Sequence, residues 1–288
     1  MKRFFVPAAL VMIAILVLGL TGCVSQADFK ALQSKNQQLE SQVTKMQTEM
    51  AELKKQVLYS PSEELEKYKN SVVVLKFRLE SAPGVSGEIP GLGVVIEENN
   101  QRYILSLWHI LTGNGKITID FAKKYLRVYL ESGPGKGRAL DWQADQRTDV
   151  VIIKMPQGLD YFPIPVDNSD NLKIGQTVYI ISSPWQEGIT IREGVVGSLN
   201  APSGIISLFR QAGITNLGEN DILIMSYAGI SGDSGGAILT FIDGKLKMIG
   251  IHQGARGEKI GDRVAPVLAF GIKINPFLQQ ARELMKKL

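Results

Sequence analysis

Gly232-Asp233-Ser234-Gly235-Gly236 places a serine among glycines in the C-terminal third of the chain. Glycines let backbone N–H groups approach closely and converge on one oxyanion. A serine hydroxyl attacks poorly unless a base takes its proton, and the base needs a third group that fixes its tautomer. The motif therefore predicts a nucleophilic Ser234 and requires a histidine and an acid elsewhere.

A histidine and an acid occur in suitable runs. His109 lies in the apolar run 104–111, which predicts a strand closing into a turn at Thr112. Asp149 opens the strand-like run 149–154. Each feature alone has an ordinary alternative: a glycine-rich turn, a core histidine, the start of a strand. Together they follow the order His, Asp, Ser, which is that of chymotrypsin-type enzymes and not that of subtilisins or α/β-hydrolases.

Other segments extend this pattern. They are Gly91-Leu-Gly-Val-Val-Ile96, Gly175-Gln-Thr-Val-Tyr-Ile-Ile-Ser-Ser-Pro184 and Gly194-Val-Val-Gly197. With the three motifs above, residues 71–288 resemble a trypsin-like serine peptidase of the HtrA (Deg) or glutamyl endopeptidase type. The resemblance implies an all-β, two-barrel chymotrypsin-like fold with the active site in the cleft between the barrels. It also implies protein or peptide substrates and no metal or other cofactor.

The resemblance assigns roles to single residues. His109 would be the general base and later the acid, Asp149 its orienting partner, and Ser234 the nucleophile that forms an acyl-enzyme. The N–H groups of Gly232 and Ser234 would form the oxyanion hole.

Two positions depart from the pattern of these families. Trp108 stands where they usually carry a small or polar residue, and Asp233 replaces their usual asparagine. In digestive proteases that aspartate pairs with a freshly cut N-terminus. Here we expect Asp233 to pair locally or to cap backbone amides.

The substrate pocket is less well defined. Ala228, six residues before Ser234, would form the pocket base, so no fixed carboxylate awaits a Lys or Arg side chain. His252, in Met248-Ile-Gly-Ile-His-Gln-Gly254, resembles the histidine with which glutamyl endopeptidases contact an acidic P1 side chain. That family also has a hydroxyl residue where this chain has Gly229. Both an acidic and a small apolar P1 preference remain open, the second leaving His252 structural.

Alternating apolar residues, β-branched runs and glycine turns recur at short intervals after residue 71, as in all-β proteins. A connector at 160–173 would separate the two barrels, and a final amphipathic helix would run from Asn275 to Lys287. Residues 200–221 form either a regulatory loop or a surface excursion. Candidate strands are 72–79, 91–97, 102–107, 125–131, 150–154, 177–182, 189–199, 222–226, 236–241, 246–252 and 264–273.

The N-terminus resembles a bacterial lipoprotein signal. Lys2 and Arg3 precede an apolar stretch, and Leu20-Thr-Gly-Cys23 sets small residues before the single cysteine. The resemblance implies a signal peptide over 1–22, lipidation of Cys23, and a membrane-anchored protein on the exported side of the bacterial cell envelope. The alternative is an uncleaved anchor, since roughly 17 apolar residues reach the lower limit for a span. With its cysteine committed to lipid, the chain has no structural disulfide.

Residues 26–57 are rich in Gln, Lys and Glu and contain neither Gly nor Pro. Read as heptads, they predict a coiled-coil stalk over 23–58 that forms a parallel homo-oligomer, with a dimer favoured because Asn36 occupies position a. A single helix or a disordered spacer is the alternative. Residues 59–70 would be a linker with a short helix that starts at Pro61. Positions a are Phe29, Asn36, Val43, Met50 and Val57, and positions d are Leu32, Leu39, Met46 and Leu53.

Composition limits the function classes. With 32 basic and 28 acidic residues, the formal charge of +4 gives no reason to expect nucleic acid binding. We therefore expect a membrane-anchored serine endopeptidase. A catalytically inactive protease-fold module that binds peptides or proteins is the alternative, and an esterase with the same triad fits this fold less well.

Overall fold

The computed structural model describes residues 25–57, 61–80, 87–112, 117–260 and 263–288. The chain divides into two compact units, Met1–Ser60 and Pro61–Leu288. The predicted signal peptide and Cys23 lie outside the described residues. Within the described ranges, no helix combines the length and the apolar character needed to cross a membrane.

The first unit contains one long helix, α1 (Gln26–Val57). Ser25 precedes it, and its hydroxyl accepts a hydrogen bond from the Asp28 N–H at 3.2 Å, which caps the first turn. The predicted helix is thus confirmed, and its association with a second copy stays a prediction. The large apolar side chains described on it are all exposed: Phe29, Leu32, Leu39, Val43, Met46 and Met50.

The second unit is built mostly from antiparallel strands. It begins with the predicted short helix, α2, and ends with the predicted amphipathic helix, α6. Its helices are α2 (Pro61–Tyr68), α3 (Trp108–Thr112), α4 (Ile119–Tyr125), α5 (Ser203–Gln211) and α6 (Ile274–Met285). Its strands are β1 (Val72–Leu79), β2 (Gly87–Glu98), β3 (Gln101–Leu107), β4 (Leu126–Leu130), β5 (Ala139–Leu140), β6 (Trp142–Asp145), β7 (Val150–Lys154), β8 (Thr177–Ser182), β9 (Thr190–Ser198), β10 (Ile222–Met225), β11 (Ala237–Ile242), β12 (Lys245–Ile260) and β13 (Arg263–Lys273).

The first barrel is a sheet in the order β5-β4-β1-β2-β3-β7-β6. Its two edge strands, β5 and β6, are separated in the chain by Asp141 alone. Because one residue spans only a few ångströms, the two edges of the sheet must meet there. The sheet therefore rolls into a barrel whose seam lies at Asp141.

The second barrel is closed by hydrogen bonds, in the order β10-β13-β12-β11-β8-β9. Beyond Ile251, β12 pairs only with β13, because its pairing with β11 ends where Ala237 faces Ile251. The freed edge of β12 bonds the turn that carries Ser234 instead: the His252 N–H donates to the Gly236 carbonyl and the His252 carbonyl accepts the Gly235 N–H, both at 2.9 Å.

A shared apolar core joins the two barrels. It combines Leu105 and Ile152 of the first barrel with Ile181 and Ile251 of the second. Helix α6 packs into the same cluster with Phe277, Leu278, Ala281 and Leu284, as its predicted apolar face requires.

The structure corrects the sequence-based expectations in three places. His109 does not end a strand; it lies on α3, because Trp108 donates its N–H to the carbonyl of Asp149 at 3.2 Å and the chain turns there. Strands β5 and β6 were not expected, since they are too short and polar for a periodic signal. The 200–221 segment is more than a surface excursion, since α5 buries Ile205, Ile206 and Phe209 in the shared core.

Candidate active site

The backbone around His109 is fixed by Asp149. The Asp149 carboxylate accepts the His109 backbone N–H at 2.7 Å through Oδ1. Its other oxygen, Oδ2, lies 2.7 Å from His109 Nδ1. A carboxylate only accepts, so Nδ1 carries the proton and Nε2 is left as the basic nitrogen.

Two opposing effects act on the pKa of His109. Burial lowers it, and the charge of Asp149 together with its hydrogen bond raises it. The attraction wins, so the pKa of His109 lies above its usual 6.5. The imidazolium form is stabilised by this arrangement, as a general base requires once it has taken a proton.

Asp149 itself is fully buried and has a left-handed backbone with φ of 60°. Aspartate tolerates this conformation better than most residues. It follows the single turn 146–148, whose first carbonyl accepts the Asp149 N–H at 3.3 Å. The turn places the carboxylate beneath α3, at the start of β7.

Gln253 is a site residue that the sequence analysis missed. Its side-chain Nε2 donates to Asp149 Oδ2 at 3.3 Å. Its carbonyl accepts the Ser234 hydroxyl at 3.1 Å. Gln253 thus connects the serine of the second barrel with the carboxylate of the first. Its position directly after His252, a predicted pocket residue, was the available signal.

The glycines around Ser234 have the conformations that a tight turn needs. Gly232 and Gly235 have φ of 97° and 86°. A Cβ on Gly235 would collide with the carbonyl oxygen of Leu92 in β2, so the turn touches the first barrel directly. Only glycine fits at that contact.

The N–H groups of this turn fall into two sets. Those of Asp233, Gly235 and Gly236 donate to backbone carbonyls at 2.9 to 3.1 Å. Among the described residues, none accepts from the N–H of Gly232 or of Ser234. These are the two donors that the resemblance assigns to the oxyanion hole.

His109 and Ser234 open into one cavity of about 190 Å³. Both barrels contribute to its wall, and Gly232 lies on it as well. The lining residues are Val74, Pro90, Gly91, Leu92, His109, Ile110, Ser183, Gln186, Ser231, Gly232 and Ser234.

Asp233 pairs locally and also caps a backbone amide, which confirms the expectation for this residue. It is fully buried, forms an ion pair with Arg192, and accepts the Ser182 hydroxyl at 2.8 Å. Its second oxygen accepts the Ile230 N–H at 2.6 Å.

The two predicted pocket residues lie outside this cavity. Ala228 is exposed. His252 is 1% exposed, and its Nδ1 lies 2.8 Å from the hydroxyl of Tyr227. Burial lowers the pKa of His252 to about 4, so the ring is neutral near pH 7. A Cβ on Gly229 would lie 3.2 Å from the His252 ring and would crowd Ala255.

Sequence comparison gives an independent result. The family model for the trypsin-like peptidase domain matches residues 91–251, a range that contains His109, Asp149 and Ser234. The chain is 32% identical over 163 residues to a probable periplasmic serine endoprotease, DegP-like, of Buchnera aphidicola subsp. Baizongia pistaciae, covering 56% of this chain and 30% of that protein. It is 30% identical over 187 residues to the serine protease PepD of Mycobacterium tuberculosis, covering 63% of this chain and 36% of that protein. The chain thus spans about a third of the length of these relatives.

Structure comparison agrees on the fold. The HtrA-type protease AlgW with tripeptide matches with a TM-score of 0.56 at 16% identity, covering 79% of this chain and 64% of that one. A second AlgW structure, with a decapeptide, matches with a TM-score of 0.55 at 15% identity, covering 79% of this chain and 67% of the other. The two-barrel architecture is therefore that of HtrA-type proteases.

Proposed function

This chain belongs to the trypsin-like peptidase family, and from that membership we propose that it is a serine endopeptidase that forms an acyl-enzyme on Ser234. One observation carries the proposal. His109 shares a single cavity with Ser234 and Gly232. Asp149 holds the His109 ring in the tautomer that carries its proton on Nδ1, and the Gly232 N–H has no partner among the described residues.

The reaction would start when the Ser234 hydroxyl leaves the Gln253 carbonyl and turns toward His109. His109 Nε2 takes the hydroxyl proton while Oγ bonds to the carbonyl carbon of the substrate. The same nitrogen then gives the proton to the leaving amine as the C–N bond breaks. Water, deprotonated by His109, hydrolyses the resulting ester and restores the serine.

The charge that develops on the substrate oxygen needs donors that are already in place. The N–H groups of Gly232 and Ser234 meet that need, because no described residue competes for them. A donor of this kind contributes about 10²–10³ in rate. A module that only binds peptides has no need of two unpaired N–H donors beside a histidine and a serine. We therefore favour the enzyme over the binding alternative.

A fluorophosphonate probe tests the proposal. We expect one adduct, located on Ser234 by peptide mass spectrometry, in the folded protein and none after denaturation. Ser207→Ala, which removes an exposed hydroxyl on α5, is the matched control and should label normally. A wild-type protein that binds peptides and neither labels nor cleaves them would support the binding module, and cleavage of esters alone would support an esterase.

We propose a small apolar P1 preference. Ala228 keeps the pocket-base role that the resemblance gives it, although it does not line the 190 Å³ cavity, and His252 is a buried residue behind Gly229. The narrow space between Gly229 and Ala255 and the neutral state of His252 support this over an acidic preference. Near pH 7, we expect Ala or Val at P1 to be cleaved at least about tenfold faster than Glu, a difference typical of apolar pockets.

A peptide library randomised at P1 measures this preference. His252→Ala should enlarge the pocket and admit longer apolar side chains without creating or removing a preference for acid. A wild-type preference for Glu that disappears in His252→Ala would instead establish the glutamyl endopeptidase type of pocket.

We propose that α1 forms a parallel dimer through its exposed apolar positions. The six exposed apolar side chains lie at a and d, where a partner helix would cover them. Sedimentation equilibrium should show a dimer for a soluble form beginning at residue 24 and a monomer for one beginning at Pro61. The second form keeps α2, because Leu65 and Tyr68 of that helix are buried.

A single substitution refines this test. Leu39→Glu at position d should shift the longer form toward monomer, and Ser41→Glu on the opposite face should not. If the longer form is monomeric at tens of micromolar, α1 is a spacer and not a coiled coil.

We also propose a location on the exported side of a bacterial envelope, with Cys23 as the lipid attachment point. The relatives named as periplasmic proteases and the lipoprotein-like segment before Cys23 support it. The mass of the mature N-terminus tests it, since an unmodified Cys23 within an uncleaved chain would contradict lipidation.

A further inference from the structure

The carboxylate of Asp233, one residue before the proposed nucleophile, is fully buried. A buried carboxylate is strongly disfavoured unless it is paired and hydrogen-bonded. Asp233 meets both conditions through the Ser182 hydroxyl, the Ile230 N–H and the guanidinium of Arg192. Arg192 is the one basic side chain that the described residues place in contact with it.

Arg192 projects from β9 as a fork with three bonds. Nη2 contacts Asp233 Oδ1 and donates to the Ser182 hydroxyl at 3.0 Å. Nη1 donates to the carbonyl of Ala228 at 2.7 Å. The guanidinium carbon also lies 5.7 Å from the centre of the Tyr227 ring. One side chain therefore reaches both the proposed pocket base and the residue before the nucleophile.

These bonds hold both ends of the segment 228–233. Ala228 is fixed at its start, and Asp233 at its end. Between them, Ile230 and Asp233 bond reciprocally, since the Asp233 N–H donates to the Ile230 carbonyl at 3.1 Å and the Asp233 carboxylate accepts the Ile230 N–H. This reciprocal pair uses the N–H groups of Ile230 and Asp233, while the N–H groups of Gly232 and Ser234 have no partner in the described structure.

We infer that Arg192 is a positioning residue, which holds the 228–233 segment so that the oxyanion donors and the pocket base are preformed. The inference rests on the proposed function. A side chain of β9 supplies the cation that the buried Asp233 carboxylate needs. An arginine suits this role because its fork binds two acceptors at once and stays charged at every working pH.

Arg192→Met tests the inference. We expect kcat for a peptide substrate to fall about 10²-fold, the loss typical of a disturbed oxyanion donor, and KM to change by no more than about threefold. The matched control is Arg282→Met, which removes another arginine ion pair. Arg282 on α6 pairs with Glu98 of β2 at 2.9 Å, and neither residue lines the cavity. The control should keep wild-type kcat. An Arg192→Met enzyme with wild-type kcat would overturn the inference.

If Arg192 served only to neutralise Asp233, Arg192→Met would also lower activity, because the buried Asp233 carboxylate would lose its counter-ion. The double variant Arg192→Met with Asp233→Asn removes both charges and separates the two roles. We expect its thermal midpoint to return close to that of the wild type, while kcat remains at least about tenfold low because the link to Ala228 is still missing. Recovery of both midpoint and kcat would show that Arg192 only neutralises Asp233.

Hydrogen exchange provides a readout that does not depend on catalysis. The peptide 229–236 should exchange faster in the double variant than in Arg282→Met or the wild type, since its anchor is lost. Unchanged exchange would overturn the inference. If the wild type neither labels nor cleaves, the proposed function fails, and the exchange comparison still decides whether Arg192 orders this segment.

Discussion

Ser234→Ala should lower peptide hydrolysis by about 10⁶-fold, the loss seen when the nucleophile of a triad enzyme is removed. Without Oγ no acyl-enzyme forms, and His109 has no hydroxyl to activate. The remaining rate would come from the oxyanion donors and from substrate positioning. Single-turnover cleavage of a fluorogenic peptide at high enzyme concentration measures a loss of this size.

The Ser234→Ala protein should stay folded. The hydroxyl makes one described hydrogen bond, to the Gln253 carbonyl, so the thermal midpoint should move by only a few degrees, as about 1 kcal/mol would produce. Ser207→Ala serves again as the control for losing a hydroxyl. Activity of Ser234→Ala near the wild-type level would place the nucleophile elsewhere.

Asp149→Asn should lower kcat/KM by about 10⁴-fold with the fold retained. An asparagine amide turned toward Nδ1 donates where the carboxylate accepts, so the imidazole proton moves to Nε2 and the ring loses its basic nitrogen. The carboxylate accepts from the His109 backbone, the His109 ring and Gln253, and an amide cannot satisfy all three donors.

The pH profile gives this substitution a second readout. In the wild type, kcat/KM should rise with pH as His109 loses its proton, along a limb centred above 6.5. In Asp149→Asn the charge is gone and burial remains, so the pKa of His109 should fall and the limb should move to lower pH. A limb that stays in place would mean that another group titrates.

The same pKa shift bears on stability, with a definite sign. The pKa of His109 is higher in the folded than in the unfolded chain, so its ion pair stabilises the fold fully below about pH 6.5 and the contribution is lost as pH rises through the folded pKa. The pH range in which the ring acts as a base is therefore the range in which this pair stabilises least.

The sequence was sufficient for the features that depend on local pattern. Heptads predicted α1 with its observed bounds, and alternating residues predicted the longer strands of both barrels. The two-barrel fold followed from the resemblance to trypsin-like peptidases. That resemblance could be read from the sequence because each of the His, Asp and Ser motifs consists of a few adjacent residues.

Features created by long-range contacts were not predictable in this way. Arg192 and Asp233 are far apart in the chain. The sequence indicates that the Asp233 carboxylate needs a partner within the molecule, but it does not indicate that Arg192 is that partner. Gln253 joins the site only because β12 passes beside both Asp149 and Ser234. Helix α3 replaces the expected strand end because a carboxylate from a distant turn takes the His109 N–H.

The division of the site between two barrels has a consequence for the cell that makes this protein. His109 and Asp149 come from the first barrel and Ser234 from the second, and Gly235 meets Leu92 where they touch. During synthesis the first barrel can fold before the second has left the ribosome. Such a half-made chain holds His109 and Asp149 without Ser234, so the reaction that we propose cannot begin on it. The proteolysis that we propose would thus be delayed until the second barrel has folded.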